Sequence, residues 1–280
     1  MTATAPAPGR RRTEAQEQPG CPWRLLRLGA AVELADRGRL IAIAFSLTVQ
    51  IFLFYVLWTA LYRSDPGREG GLSVDQVVAY SALGALISRT RVLARDSIYR
   101  AVNDGSVIYW FVRPLAPGRY FFLRSCGESL YGLALALLGA LICALLDVVT
   151  LPSSAGVLVV ALASLMLGQI VQYYLTLLVE VSCFWITTNR SLKSIHTFIQ
   201  DLLSGAIVPI WFFPGWFIEA NKLLPFQATL NLPVSVYVGR IPVSQAAEVL
   251  VVQLVWCVLL AGLARMVWRA VARHVVIAGG

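Results

Sequence analysis

The sequence predicts an all-α membrane protein with six transmembrane helices and an N-terminal interfacial helix. Two observations carry this. The chain of 280 residues is 58% hydrophobic with a mean hydropathy of +0.71, whereas soluble domains are roughly 45–50% apolar. Its basic residues also alternate in sidedness. Six apolar stretches divide the chain, and 19 of the 23 Lys and Arg fall in every second gap. Those gaps hold Arg10, Arg11, Arg12, Arg24, Arg27, Arg37 and Arg39, then Arg89, Arg91, Arg95, Arg100, Arg113, Arg119 and Arg124, then Arg190 and Lys193, then Arg265, Arg269 and Arg273. The intervening gaps hold Arg63, Arg68, Lys222 and Arg240. Positive charge resists translocation, so the basic gaps, and with them both termini, read as cytoplasmic.

Residues 1–21 are rich in Ala, Pro, Arg and Glu and read as a disordered cytoplasmic tail. Arg10-Arg11-Arg12 does not make an export signal, because no apolar run follows it before Leu40. Over 22–39, Trp23, Leu26, Ala30 and Leu34 fall near one helical face with Arg24, Arg27, Glu33, Asp36 and Arg37 around them. Such a helix lies in the headgroup plane, and Trp23 is a typical anchor there.

The first span, 40–62, is 23 residues without a charge, about 34 Å as a helix against a bilayer core of about 30 Å. A short outer loop, 63–72, leads to a weaker second span over 74–87. That span reaches crossing length only if it extends to about residue 94, with Arg89 and Arg91 snorkelling. A long inner loop follows, about 89–124. The third span is 129–146 and the fourth runs from 156 to about 188, long enough to tilt or protrude. The fifth begins near Ser194 and is broken by Pro209 and Pro214-Gly215. Residues 214–242, rich in Trp, Phe and Pro, read as an outer-leaflet segment, since broken backbone at membrane depth must be buried in protein or line a cavity. The sixth span is 246–264, followed by a basic tail with Trp268.

Several chemistries are excluded or weakened. The net charge of +8 is spread through membrane-proximal loops, which suits anionic lipid and not nucleic acid. Cys21, Cys126, Cys143, Cys183 and Cys257 form no CxxC pair, and His196 and His274 are the two histidines, so neither a disulfide framework nor a metal site is expected. A nucleotide-binding P-loop needs Gly-Lys followed by Ser or Thr. The two lysines, Lys193 and Lys222, follow Leu192 and Asn221, so ATP cannot bind this chain in that way. A serine nucleophile turn would want glycine where Leu202 stands before Ser204-Gly205, and His196 lies two turns away on the same expected helix. No cofactor is expected on this chain.

Polar groups inside spans are the remaining candidates. Glu180 lies near the inner surface and reads as a solvated or arginine-paired residue. Asp201, two turns into the fifth span, fits either a hydrated pathway or a structural pair. Gln50, Gln169, Gln172 and Gln253 are uncharged, and Gln169 and Gln172 share a face. They suit interhelical hydrogen bonds or a polar stripe facing a cavity. In the inner loop, Leu93, Ile98, Tyr99 and Val102 recur at helical spacing among Arg91, Arg95, Asp96 and Arg100, and Asn103-Asp104-Gly105 ends the segment with turn chemistry. A short helix here fits docking to a cytoplasmic partner or lying on lipid.

Two stretches resemble permeases of ABC transporters of the ABC type-2 class, a compact six-helix bacterial subfamily in particular. One is Asp104-Gly105 with Val112-Arg113-Pro114-Leu115. The other is Ser204-Gly205, Pro209, Phe213-Pro214-Gly215-Trp216, Leu224-Pro225-Phe226, Pro233 and Tyr237-Val238-Gly239. The likeness covers roughly 33–280. It implies a dimer with a second permease, identical or related, and two ATP-binding cassette subunits that carry ATP and Mg. It also implies a coupling helix at about 91–104, with Arg91, Arg95, Asp96, Tyr99, Arg100, Asn103 and Asp104 toward the ATPase subunit, and a re-entrant pair of short helices over 214–242.

The expected function is the membrane subunit of an ATP-driven exporter in a bacterial plasma (inner) membrane, without catalysis of its own. It would form a path for an amphiphilic or hydrophobic cargo, as in multidrug or lipid efflux, past Gln50, Gln169, Gln172 and Asp201. The rival is an ion-driven secondary transporter, which would need buried acids or a broken helix in each of two related halves. The sequence offers one broken region and no evident repeat. A membrane enzyme lacks the constellations just searched for.

Overall fold

A computed structural model describes residues 37–64, 72–90, 98, 117–185 and 190–278. The tail 1–21, the interfacial helix up to residue 36, and Arg91, Arg95, Asp96, Tyr99, Arg100, Asn103 and Asp104 lie outside the described residues. All regular structure among the described residues is helical: α1 (Arg37–Ser64), α2 (Val74–Thr90), α3 (Pro117–Leu145), α4 (Ala155–Val181), α5 (Arg190–Leu203), α6 (Gly215–Lys222), α7 (Asn231–Tyr237) and α8 (Ala246–Ala278). Single 3-10 turns stand at Ser182–Phe184, Ile210–Phe212, Pro225–Thr229 and Val243–Gln245. Among the described residues, four spans are long and apolar enough to cross a bilayer: Ile41–Arg63, Tyr120–Leu145, Ala155–Phe184 and Val243–Val271. The other two expected crossings are short helices, α2 with 17 residues and α5 with 14.

Helix α1 packs along one edge, against α2. Its inward stripe, Leu47, Ile51, Phe54, Trp58, Leu61 and Tyr62, repeats every three or four residues, while Ile41, Phe45, Phe52 and Leu53 on other faces are more than half exposed. Residues 37–39, expected at the end of the interfacial helix, form the first turn of α1. Helix α2 is the opposite case. Every residue from Val77 to Ile87 is buried, because α1, α3 and α7 surround it. A helix apolar on all sides belongs at the centre. It starts with a capping box: Gln76 N–H donates to Ser73 Oγ at 3.3 Å, and Ser73 N–H donates to Gln76 Oε1 at 2.9 Å.

Helix α3 begins well before the expected third span, so 117–124 belong to a helix and not to the loop. Pro117 occupies the first helical position, where its fixed φ suits the start and its missing N–H costs nothing. Small residues bring α3 onto α2. A Cβ on Gly139 would stand 2.5 Å from Leu86 Cδ2, so glycine there permits the contact. The α3–α4 turn closes with Val148 N–H donating to the Cys143 carbonyl at 2.9 Å and Asp147 N–H to that of Ala144 at 3.2 Å. Asp147 takes the left-handed conformation, φ 55°.

Helix α4 starts at an N-cap, Ser154, whose Oγ accepts from Val157 N–H at 3.3 Å. It ends at Val181, with one 3-10 turn to Phe184, before the expected limit near Thr188. Helix α8 runs parallel to α4, in contact along the paired positions Ser164–Gln253 and Leu167–Cys257, and continues to Ala278, well past the expected Ala264. One end of the bundle thus carries the α1–α2 and α3–α4 connections and the start of α8. We call it the hairpin end. Residues 204–245 fill that half, buried against α2, α4 and α8 through Ala228, Leu230, Val234 and Val236.

Candidate functional site

The fifth span stops early. The expected break was Pro209, yet α5 ends at Leu203. Gly205 ends it, adopting φ +80°. Ala206 N–H donates to the Asp201 carbonyl at 3.0 Å and Gly205 N–H to that of Leu202 at 3.3 Å, the paired bonds of a Schellman stop. Of the last four carbonyls, Gln200 accepts from Ser204 N–H at 2.8 Å. Leu203, the remaining one, accepts from Asn221 Nδ2 of α6 at 2.8 Å. A helix that ends among apolar neighbours must have these groups satisfied by protein, and all four are.

Three further polar joints tie the short elements to the long helices. At the first, Gln172 Nε2 on α4 donates to Gln200 Oε1 on α5 at 3.3 Å, and Gln200 Nε2 donates back to Gln172 Oε1. Gln172 and Gln200 are 5% and 2% exposed. At the second, fully buried Gln253 of α8 donates to the carbonyls of Ser164 at 2.9 Å and Ala228 at 2.8 Å. A Cβ on Gly168 would stand 2.8 Å from the same Ala228 oxygen and 3.0 Å from that of Thr229. Gly168 lies about 20 Å along α4 from its hairpin end, which is how deep the 3-10 turn Pro225–Thr229 reaches beside it. At the third, Tyr80 Oη donates to Asn231 Oδ1 at 3.0 Å, and Gln76 Nε2 donates to the Val238 carbonyl at 2.8 Å, joining α2 to α7.

Nearer the hairpin end, aromatic rings close the gap between α1, α2 and the segment. Trp58 stacks on Phe212 at 4.9 Å, and Tyr80 meets Trp211 edge-on at 4.7 Å. The Arg240 guanidinium lies 4.4 Å from the Trp211 ring centroid.

At the opposite end of α5, Lys193 Nζ forms an ion pair with Glu180 Oε1. Of the two sequence expectations for Glu180, the solvated one needs correction: it is 5% exposed, and a lysine, Lys193, pairs with it. Antiparallel packing of α4 and α5 sets Glu180 opposite Lys193 just as it sets Gln172 opposite Gln200.

The expected pathway residues divide. Gln172 sits in the α4–α5 joint. Asp201 follows Gln200 directly and is half-buried, and its carbonyl closes the α5 stop. Gln169, half-buried, lies one turn from Gln172 on α4. Gln50 is held elsewhere, at the α1–α2 contact, where Arg89 donates to Gln50 Oε1 at 3.3 Å and to Ser46 Oγ at 3.2 Å. Sequence reasoning missed Gln200, Asn221, Tyr80 and Asn231. Of these, Gln200 had a signal: a Gln between Ile199 and Asp201 at the deep end of an amphipathic helix needs a partner if it is buried.

Chemically these joints are hydrogen bonds and one ion pair between elements. Their capacity is to fix or release helices against each other. Beside the fold and these joints stands the comparison with known proteins. Residues 45–279 match the model of a family described as ABC-2 family transporter protein. A search of curated proteins gave no match.

Proposed function

Since the chain belongs to the ABC-2 transporter family and is the transmembrane component of an ABC transporter, whose ATPase resides on a separate subunit, we propose that it serves an ATP-driven exporter of amphiphilic or hydrophobic cargo in a bacterial plasma membrane. Two ATP-binding cassette subunits supply the energy, with ATP and Mg on them, and a second permease, identical or related, completes the path. The hairpin end faces outward and both termini face the cytoplasm, in keeping with the distribution of arginine. Helices α2 and α5 are the second and fifth of six crossings, and 204–245 is a re-entrant segment that completes the outer half of the fifth.

The family match over 45–279 carries this reading. The depth of the Pro225–Thr229 turn beside Gly168 supports the re-entrant assignment. Residues 91–104, with Arg91, Arg95, Asp96, Tyr99, Arg100, Asn103 and Asp104, meet the ATPase subunit, and the pathway runs past Gln50, Gln169, Gln172 and Asp201. Charge reversal at Arg95 and Arg100 should reduce co-purification of the ATPase subunit without loss of membrane insertion. Unchanged co-purification overturns the docking assignment, and transport by the chain without a nucleotide-hydrolysing companion overturns the whole proposal.

A further inference from the structure

Of the stretch 91–116 the structure describes Ile98, and its position is unusual for a residue in a connection between two membrane helices. It is 2% exposed and belongs to a buried cluster with Phe121 of α3, Tyr173, Leu177 and Val181 of α4, and Val271 of α8. The walls of this socket are braced rings. Phe122 meets Tyr173 edge-on at 5.2 Å, Phe121 meets Trp268 at 6.3 Å, and Phe184 meets Trp268 at 6.4 Å.

A loop passes force to a helix only where its attachment is stiff. Ile has a restricted χ1, and a close-packed socket transmits displacement because it has little free volume to absorb it. The helices that hold Ile98 also carry the joints described above: α4 reaches α5 through Gln172 and Glu180, and α8 reaches the Pro225–Thr229 turn through Gln253. A displacement entering at Ile98 therefore has a continuous packed route to both.

We propose that Ile98 is a positioning residue, a side-chain anchor through which movement of the α2–α3 connection is delivered to the ends of α4 and α8 remote from the hairpin end. This rests on the reading of 91–104 as the contact with the ATPase subunit.

The test uses the chain co-purified with its ATPase subunit in lipid nanodiscs, comparing nucleotide-free and vanadate-trapped states by hydrogen exchange over 174–184 and 264–271. Ile98→Ala should leave co-purification intact while the nucleotide-dependent exchange difference falls about threefold or more. Ile98→Val, which keeps the β-branch, should restore most of it. A wild-type response in Ile98→Ala overturns the anchor and leaves the docking assignment standing. Failure of the wild-type chain to co-purify with an ATPase subunit overturns the docking assignment beneath it. A second measurement needs no ATPase subunit. In a chain freed of native cysteines, Ile98→Cys should be shielded from a water-soluble maleimide in the folded protein, and ready labelling overturns the placement of Ile98 in the socket.

Discussion

Two glycines in the long helices offer a matched experiment. In Gly168→Ala the new Cβ would meet main-chain oxygens of Ala228 at 2.8 Å and Thr229 at 3.0 Å. Neither is the end of a flexible side chain, and the Ala228 carbonyl is held by Gln253. The 3-10 turn must therefore shift bodily, and overpacking of this kind costs about 1–3 kcal/mol. Opposing this, Ala gains about 0.8–1.0 kcal/mol over Gly in a helix. In Gly262→Ala on α8 nothing lies within 4 Å of the added Cβ, so the propensity gain stands alone. Subtracting one variant from the other cancels propensity and leaves the steric cost. At about 2–4 °C per kcal/mol, Gly168→Ala should unfold roughly 2–12 °C below Gly262→Ala in the same detergent, read by intrinsic tryptophan fluorescence or thermal aggregation. Equal midpoints would refute the placement of the 3-10 turn against α4.

Gly205→Ala should lower the midpoint further than Gly168→Ala, because it must hold φ +80° at about 1–2 kcal/mol and its Cβ would stand 2.6 Å from Tyr80 Oη. Gln172→Leu and Gln200→Leu should each destabilise by about 1–2 kcal/mol through the buried amide left without its partner, while the double variant recovers part of that loss; a double-mutant cycle in detergent checks the coupling. Asn221→Leu should cost about 1 kcal/mol by removing the donor to the half-buried Leu203 carbonyl, and limited proteolysis should then cut first within 204–224.

The long helices were legible because apolar runs of about eighteen residues or more have few alternative explanations. The central place of α2 was written in 77–87 as well, a stretch without a charged residue on any face. Two boundaries were misjudged with their signals in plain sight. Pro117 marks a helix start, but Arg119 and Arg124 read as loop charge, and a helix that projects past the bilayer satisfies both. Ser204-Gly205 marks a helix stop, but the prolines downstream drew attention first. Proline prevents a helix from continuing, whereas glycine at the position after the cap supplies the conformation that ends it, and Gly205 stands before Pro209. The polar joints were legible as a list of glutamines and not as pairs. Which partner a buried amide finds depends on the register of two helices, and nothing local to Gln172 points to Gln200.

Helix α5 is tied at three levels: Lys193 to Glu180, Gln200 to Gln172, and the Leu203 carbonyl to Asn221. Sliding it along α4 would break the first two together, since both bridge the same pair of helices. Each interhelical hydrogen bond in a membrane contributes only about 0.6 kcal/mol on average, whereas a charge-assisted contact such as Glu180–Lys193 is roughly twice as strong as a neutral one. Resistance to sliding is thus concentrated at Glu180–Lys193, while the glutamine pair sets the register. Rotation of α4 and α5 as one body keeps the first two contacts, and keeps the third where α6 moves with them. The contrast with α1 is physical: it packs along the edge of the bundle, mainly against α2, with most of its surface open. A conformational change that moves α1 at its edge therefore costs less than one that moves α5 alone, and α4 cannot leave α8 without breaking the Gln253–Ser164 bond.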